Sequence, residues 1–261
     1  MTFNYESLLA ALLAGAIVAA CAGGAHAKDT ISYCFNSWPP FAMVENGQPA
    51  GISIEILAEA TRRAGYRPVF TELPWNRCLD EVEQGRIDAV VDAASRDEFI
   101  QGPVSYSFYS NTIWVREGDL LQRYEAAQLR ERTVGLVDGY DYPPSLLDDL
   151  RQAGARFETT IDDPTNIRKL SFGRVDAIIA DLVSTLQFAR SYGLSLRPLK
   201  PTHSADSLFP SFNLDAADRQ SAVNEVLQEL ISDGSVDAAY RRFLDLGYCE
   251  LAQSIDGKAC R

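Results

Sequence analysis

Short runs of β-branched and aromatic residues alternate along this chain with segments in which apolar residues recur at helical spacing. The first run predicts a strand at residues 30–35, and Ile54 and Leu57 then lie on one face of a predicted helix. Further strands are predicted at residues 68–73 and 87–91, with a second helix between them. The first part of the chain therefore predicts a β-α-β-α-β unit, which is typical of parallel α/β sheets.

The same order of elements returns downstream. Strands are predicted at residues 133–137 and 157–160, with a helix at 144–153 between them that begins on a proline. The links to the third strand of each unit nearly match, with Gly-Arg-Ile-Asp-Ala at 85–89 and Gly-Arg-Val-Asp-Ala at 173–177. A single copy is typical of any link from a helix to a parallel strand, but two copies at equivalent places predict two similar α/β lobes.

The end of the chain indicates how the lobes are connected. The last helices, predicted at residues 216–232 and 236–244, need a sheet to cover, so we expect the chain to return to the first lobe near residue 204. The predicted division is 28–115 for the first part of lobe 1, 116–204 for lobe 2, 205–247 for the return to lobe 1 and 248–261 for a C-terminal tail that a disulfide would close.

The first 27 residues have the character of an export signal. An apolar run at residues 8–20 is shorter than a membrane span, and it is followed by the small-residue cleavage pattern Ala-His-Ala at 25–27. We favour a signal peptide at residues 1–27, with processing before Cys21 and a lipid anchor on that residue as the alternative. Either interpretation predicts an exported protein of the periplasm.

Four cysteines follow the predicted signal: Cys34, Cys78, Cys249 and Cys260. An even number in an exported protein predicts disulfides, and three pairings are possible. Cys249 with Cys260 would close a short C-terminal loop, and Cys34 with Cys78 would then join the first strand to an early helix. Reduced buried thiols and a zinc site are the alternatives, although the absence of a Cys-x-x-Cys pair disfavours zinc.

Composition and charge exclude several classes of protein. Hydrophobic residues make up 46% of the chain and charged residues 23%, which is usual for a globular protein. The chain has 24 Lys and Arg against 36 Asp and Glu, a formal net charge of −12. Because phosphate polymers and anionic lipids repel so acidic a chain, we expect no nucleic-acid partner and no direct membrane binding.

Motifs of common enzyme classes are absent from the sequence. After residue 27 the chain has a single histidine, His203, and it lacks the Gly-x-Ser-x-Gly, His-Glu-x-x-His and glycine-rich phosphate-binding motifs. The carboxylate pairs at 148–149 and 162–163 fall at helical or cap positions, so we interpret them as solvated or capping groups. We therefore expect no enzymatic activity, no cofactor and no metal site.

Several segments, taken in order, resemble one protein family. They are Trp-Pro-Pro-Phe at 38–41, Asn-Gly at 46–47, Gly-Ile at 51–52, Trp-x-x-Cys at 75–78 and Gly-Arg-Ile-Asp-Ala at 85–89. Across residues 30–247 the chain resembles the family 3 extracellular solute-binding proteins, periplasmic receptors that deliver amino acids and similar small polar solutes to ABC importers. The resemblance implies an α/β fold of the two-lobed periplasmic-binding-protein (type II) kind, with the ligand cleft between the lobes. It also implies a monomer that works with an ABC permease in the inner membrane.

Residues that follow the predicted strands are the candidates for binding the solute, because ligands of open parallel sheets lie beyond the carboxyl ends of the strands. The aromatic candidates are Trp38, Trp75 and Tyr140, and the polar candidates are Asp92, Ser95, Arg96 and Asp181. The resemblance implies that Asp181 pairs with an amino group of the ligand. Capping of the helix that follows Asp181 is the alternative.

Arg96 marks a departure from the family pattern. Amino-acid-binding members carry a Ser or Thr and then, a few residues later, an arginine that grips the ligand carboxylate with two hydrogen bonds. Here Arg96 follows Ser95 directly. Arg96 either reaches the cleft or pairs on the surface with Asp97 or Glu98, and in the second case we expect a ligand without an α-carboxylate.

These observations predict a periplasmic receptor that captures a small polar, amine-bearing solute, such as an amino acid, by lobe closure and delivers it to an ABC importer. The acidic residues at the predicted cleft favour an amine over a purely anionic solute. A sensory or accessory module that binds a partner protein and a dehydratase-like enzyme on the same scaffold are the alternatives.

Overall fold

A computed structural model describes residues 30–256, so the predicted signal peptide, Cys21 and Cys260 lie outside the described residues. The strands in this range are β1 (Thr30–Phe35), β2 (Met43–Glu45), β3 (Gln48–Ala50), β4 (Arg67–Glu72), β5 (Ala89–Ala93), β6 (Ile100–Gln101), β7 (Ser107–Arg116), β8 (Thr133–Val137), β9 (Arg156–Thr160), β10 (Ala177–Ala180), β11 (Leu196–Pro198) and β12 (Ser204–Phe212). The helices are α1 (Ile52–Arg63), α2 (Trp75–Glu83), α3 (Pro144–Ala153), α4 (Asp163–Ser171), α5 (Leu182–Ser191), α6 (Ala217–Ser232), α7 (Ser235–Leu244) and α8 (Tyr248–Asp256).

The large sheet consists of two halves with the same organisation. In the first half β1 lies between β4 and β5, parallel to both, and the end of β12 pairs antiparallel with β5. In the second half β8 lies between β9 and β10, parallel to both, and β7 pairs antiparallel with β10. The halves join where residues 204–208 of β12 pair with residues 107–111 of β7. This arrangement confirms the predicted two-lobed α/β fold, with β7 and β12 as the strands that cross between the lobes.

The central strands of each half of the sheet are covered on both faces. Along β5, Ala89 and Val91 pack into one apolar cluster, whereas Val90 on the opposite face packs into another. The four residues of β10 divide between two clusters of lobe 2 in the same alternating way. Because successive side chains of a strand point to opposite faces, a strand covered on both faces is apolar, as β10 is throughout and as β5 is up to Asp92.

The two repeated sequence segments have equivalent positions in the two lobes. Gly85 follows α2 and Gly173 follows α4, with φ of 68° and 69°, a left-handed conformation that favours glycine. Asp88 Oδ2 then accepts a hydrogen bond of 2.7 Å from a backbone N–H of β1. Asp176 Oδ2 accepts one of 2.8 Å from a backbone N–H of β8. The sequence repeat therefore corresponds to a structural repeat in which an aspartate joins the third strand of each unit to the first.

One disulfide lies within the core of lobe 1. Cys34 in β1 and Cys78 in α2 are bonded, with an S–S distance of 2.02 Å, and both are fully buried. This bond confirms the expected pairing of Cys34 with Cys78. Cys249 lies in α8, and its pairing with Cys260 stays a prediction because Cys260 lies outside the described residues.

The C-terminal helix packs against lobe 1. Helix α8 packs Leu251 into the apolar core of lobe 1. Strand β7 extends to Arg116 and β12 begins at Ser204, and the predicted division into ranges stays a prediction. Within residues 30–256, no helix combines the length and the apolar character that a membrane span needs.

Candidate functional site

A cavity of about 60 Å³ lies between the two lobes, at the carboxyl ends of β1 and β5. Asp92 from β5 lies on the lobe 1 side, and Tyr140 and Tyr142 from the loop after β8 lie on the lobe 2 side. The crossing strands contribute Tyr109 and Leu208. The cavity is small because the loop after β8 contacts lobe 1 directly.

Aromatic rings form much of the cavity wall: Trp38, Trp75, Tyr109, Tyr140 and Tyr142. The ring of Tyr140 meets Trp75 and Tyr109 edge-on, with centroid distances of 5.7 and 5.8 Å. Trp38 is held by stacking on Phe41, with ring centroids 4.2 Å apart. Electron-rich ring faces attract cations, so this wall favours a positively charged group over a negatively charged one.

Asp92 is a lining carboxylate with one enclosed oxygen. Its Oδ1 accepts a hydrogen bond from the hydroxyl of Ser107. Its Oδ2 is enclosed and accepts no hydrogen bond of normal geometry, although the hydroxyls of Ser53 and Tyr106 lie close enough to lower the pKa of the carboxyl. Burial raises the pKa of Asp92 to about 6, although the hydrogen bond from Ser107 works in the opposite direction. An ammonium group beside Asp92 would favour the ionised form of this carboxyl.

A second buried carboxylate, Asp163, lies behind Tyr140 and was missed by the sequence interpretation. The Tyr140 hydroxyl donates to Asp163 Oδ2 at 3.0 Å and accepts from Asn36 Nδ2 at 2.9 Å. Burial raises the pKa of Asp163 to about 7. Tyr140 therefore joins a lobe 1 amide to a lobe 2 carboxylate across the cleft.

The acid pair at 162–163 is only partly a capping pair. Asp162 caps α4, since its side chain accepts a hydrogen bond of 2.7 Å from the N–H of Thr165. The expectation is wrong for Asp163, which is buried on the same face of α4 as Ile167 and Leu170. Asp163 precedes Ile167 by four residues, and Ile167 precedes Leu170 by three. This helical spacing is the sequence signal that places Asp163 on the inner face of α4.

Arg96 reaches the cleft and contacts the opposite lobe. Its Nε donates to Asp141 Oδ2 at 2.8 Å, and its Nη2 donates to the carbonyl oxygen of Gly139 at 2.6 Å. The guanidinium carbon lies 6.0 Å from the ring centroid of Trp75. Two positions were expected for Arg96, the cleft and the surface, and the structure places it in the cleft. Its partner there is Asp141, a carboxylate of the protein itself.

Three further hydrogen bonds join lobe 1 to the loop at residues 138–141. Asn76 Nδ2 donates to Asp138 Oδ2 at 2.7 Å, and Trp75 Nε1 donates to the Gly139 carbonyl at 2.9 Å. The third is the bond from Asn36 to Tyr140. We call this set the interlobe latch: residues 138–141 of lobe 2 with Asn36, Trp75, Asn76 and Arg96 of lobe 1. The latch holds the lobes together through side chains of the protein.

The structure brings some of the predicted site residues together and separates others. Trp38, Trp75, Asp92 and Tyr140 line the cavity, and Arg96 is linked to it through Asp141. Ser95 is exposed and is not part of the lining.

Asp181 also lies outside the cavity lining. It is 1% exposed, and its Oδ1 accepts from the N–H of Ser184 at 2.8 Å, which caps α5. Its Oδ2 accepts from the N–H and the hydroxyl of Ser110, at 3.1 and 2.6 Å. The helix-capping alternative thus describes this side chain, and its binding of a ligand amine stays a prediction.

The crossing strands supply site residues that no local sequence signal indicates. Tyr109 of β7, and Asp206 and Leu208 of β12, line the cavity, and Asp206 Oδ2 accepts a hydrogen bond of 2.7 Å from Asn111 Nδ2. Their place follows from the pairing of β7 with β12.

Within the described range, no group of three or more His, Cys, Asp or Glu side chains is arranged to hold a metal ion.

Several known proteins similar to this chain bind small solutes. The sequence model described as bacterial extracellular solute-binding proteins, family 3, matches residues 32–245. The chain is 23% identical over 207 residues to the L-cystine-binding protein TcyJ of Escherichia coli (strain K12), with 77% of each chain covered. It is 27% identical over 208 residues to the putative amino-acid ABC transporter-binding protein PatH of Vibrio harveyi, with 76% of this chain and 81% of PatH covered. The structure of an ancestral arginine-binding protein bound to arginine matches with a TM-score of 0.73 at 20% identity, covering 84% of this chain and 100% of that one.

Proposed function

The chain belongs to the bacterial extracellular solute-binding proteins of family 3, and on this premise we propose that it is a periplasmic receptor that delivers a small amine-bearing solute to an ABC importer. The names of two relatives support the proposal, since one is an L-cystine-binding protein and the other a putative amino-acid ABC transporter-binding protein. The role assigned to the protein is capture and delivery, without a catalytic step.

The proposed chemical class of the solute, an amine, rests on the enclosed Oδ2 of Asp92. A buried ionised carboxylate oxygen without a donor is costly. An ammonium group would supply a charge-assisted hydrogen bond and would lie among the rings of Trp38, Trp75 and Tyr140 that line the cavity. We therefore propose Asp92 as the counter-ion of the solute.

We propose that binding of the solute favours closure of the two lobes. A solute that binds the closed arrangement better than the open one shifts the population toward closure. The interlobe latch already contributes protein contacts to the closed arrangement, and the solute adds its own contacts with Asp92 and the rings. The permease then distinguishes the closed form from the open one.

Thermal unfolding of the purified protein with a panel of amines, amino acids and small acids tests this function. A ligand at 100 times its Kd stabilises the folded state by about 2.7 kcal/mol, which raises Tm by roughly 5–10 °C for a chain of this size. We expect amine-bearing compounds to raise Tm and purely anionic compounds to have no effect. Absence of a shift with every compound, or consumption of a compound during the assay, would contradict the receptor function.

The affinity for an amine should rise with pH up to about pH 6 and then level off. Burial raises the pKa of Asp92 to about 6, so at lower pH the carboxyl must lose a proton before it can pair with an ammonium. We expect affinity to increase by up to about tenfold for each pH unit below pH 6. Isothermal titration calorimetry at several pH values measures this profile. Equal affinities at acidic and neutral pH would remove Asp92 as the counter-ion.

Replacement of Arg96 by alanine should open the protein in the absence of solute. The variant loses the ion pair with Asp141 and the bond to Gly139. Because Asp141 is 41% exposed, we expect a loss of about 1–2 kcal/mol, which is roughly a 5- to 30-fold decrease in the ratio of closed to open protein. Small-angle X-ray scattering should show a larger radius of gyration.

The matched control is Arg151→Ala. Arg151 pairs with Asp148 at 2.8 Å within α3 and does not bridge the lobes. The control should keep the scattering profile of the unchanged protein. An Arg96→Ala profile identical to that of the control would show that the latch does not hold the lobes closed.

A further inference from the structure

We infer that the solute is an organic amine without a carboxylate group. This inference rests on the proposed receptor function and narrows its solute class. It follows from the charges on the cavity wall, from the partner that Arg96 already has and from the donors that remain for an anionic group.

The charged side chains on the cavity wall are all acidic: Asp92, Asp141 and Asp206. Asp206 accepts a hydrogen bond from Asn111, and Asp141 pairs with Arg96. The lining residues include no Lys, Arg or His. A ligand carboxylate in this cavity would therefore meet like charges, and no cation on the wall would offset its loss of hydration.

Arg96 is committed to the protein itself. Its Nε and Nη2 lie 2.8 and 2.6 Å from Asp141 Oδ2, so the edge that offers two parallel hydrogen bonds to a carboxylate is occupied. Its Nη2 also donates to the carbonyl of Gly139. Asp141 thus holds the place that the carboxylate of an amino acid would take on this arginine.

The start of helix α3 does not replace the arginine. Pro143 precedes the helix and Pro144 is its first residue, and neither has a backbone N–H to donate to an anion. Among the lining side chains, two buried neutral donors form no hydrogen bond of normal geometry: Trp38 Nε1 and the hydroxyl of Tyr109, which lies near the hydroxyl of Tyr142. They suit a hydroxyl or carbonyl oxygen of the solute, since neither supplies the positive charge that a carboxylate requires.

Binding to matched pairs of compounds that differ only in their α-carboxylates, two in L-cystine and one in each of the other amino acids, tests the inference. The pairs are ethanolamine and L-serine, cadaverine and L-lysine, agmatine and L-arginine, and cystamine and L-cystine. Calorimetry on the whole purified protein should show at least one amine that binds at least about tenfold more tightly than its amino acid. An amino acid that binds as tightly as its amine, or more tightly, overturns the inference and leaves the receptor function standing. If no compound of any pair binds, both the inference and the proposed amine receptor fail.

The variant Asp141→Asn adds a test of the physical cause. Removal of this carboxylate leaves the charge of Arg96 unneutralised, so the ratio of amine affinity to amino-acid affinity should fall at least about tenfold for the best pair. The ratio is informative because both compounds of a pair bind to the same closed arrangement, and loosening of the latch weakens both. Asp148→Asn, which removes an exposed carboxylate paired with Arg151 outside the cleft, is the control and should leave the ratio unchanged. An unchanged ratio in Asp141→Asn overturns the role given to Asp141.

Discussion

Replacement of Asp92 by asparagine should nearly abolish binding of an amine while making the unliganded protein more stable. The substitution removes the charge that faces the proposed ammonium group but keeps an oxygen that accepts the hydrogen bond of Ser107. Loss of one partner of a buried charge pair costs roughly 2–5 kcal/mol of binding free energy, a decrease in affinity of about 30-fold to several thousand-fold. Calorimetry with the tightest-binding amine measures this loss.

The stability of the same variant should change in the opposite direction. Burial raises the pKa of Asp92 to about 6, so the folded protein holds this proton more tightly than the unfolded chain does. The stability that the protonated carboxyl contributes is lost as the pH rises from the unfolded pKa through about 6, and at pH 7 the ionised group destabilises the fold. We therefore expect Asp92→Asn to raise the free energy of unfolding at pH 7 by roughly 1–3 kcal/mol.

The two measurements together separate a lost binding site from a lost fold. The control is Asp149→Asn, which removes the charge of an exposed carboxylate on α3 and should change neither the affinity nor the stability. Full retention of amine binding by Asp92→Asn would exclude Asp92 from the site. A lower Tm in that variant would show that its carboxylate is structural.

Loss of the disulfide between Cys34 and Cys78 should give the largest decrease in stability. The bond closes a loop with a sequence separation of 44 residues, and constraint of the unfolded chain by such a loop stabilises the protein by about 4 kcal/mol in the chain-entropy treatment. The double substitution of both cysteines by alanine should lower Tm by roughly 8–16 °C. Thermal and urea unfolding measure the loss.

The disulfide also bears on the binding site. It holds α2 on the sheet, and α2 carries Trp75 and Asn76 of the interlobe latch. Cys78→Ala alone should therefore resemble the double variant, because either substitution breaks the same bond. A loss below about 1 kcal/mol, with solute affinity unchanged, would show that core packing alone positions α2.

Much of the fold was predictable from local sequence patterns. The repeated Gly-Arg-x-Asp-Ala segments predict two lobes, and in both lobes the aspartate accepts from a backbone N–H of the neighbouring parallel strand. Residues 89–91 of β5 and the four residues of β10 are apolar, and the two pairs of clusters cover both faces of these strands. These predictions succeed because helical spacing, strand alternation and a glycine at a left-handed turn are properties of neighbouring residues.

The candidate site was predictable only in part. The rule that ligands lie beyond the carboxyl ends of parallel strands indicated Trp38, Asp92 and Tyr140, which line the cavity. The same rule treats Asp181 and Asp92 alike. In the structure, both oxygens of Asp181 accept hydrogen bonds from the protein, whereas Oδ2 of Asp92 is enclosed and accepts no hydrogen bond of normal geometry. The difference arises from Ser110 of β7 and Ser184 of α5, which meet Asp181 only in the folded chain.

The sequence by itself determined the α/β class, the two similar lobes and the edge of the sheet at which the cavity lies, because each follows from the order and periodicity of residues along the chain. Only the tertiary structure decided which charges neutralise one another across the cleft. Arg96 and Asp141 are 45 residues apart, and they meet because the fold places the loop after β8 against lobe 1. The strength of a charge pair depends on the distance between the charges and on their burial. The sequence therefore identifies the acidic and basic residues, but only the folded structure shows which of them pair.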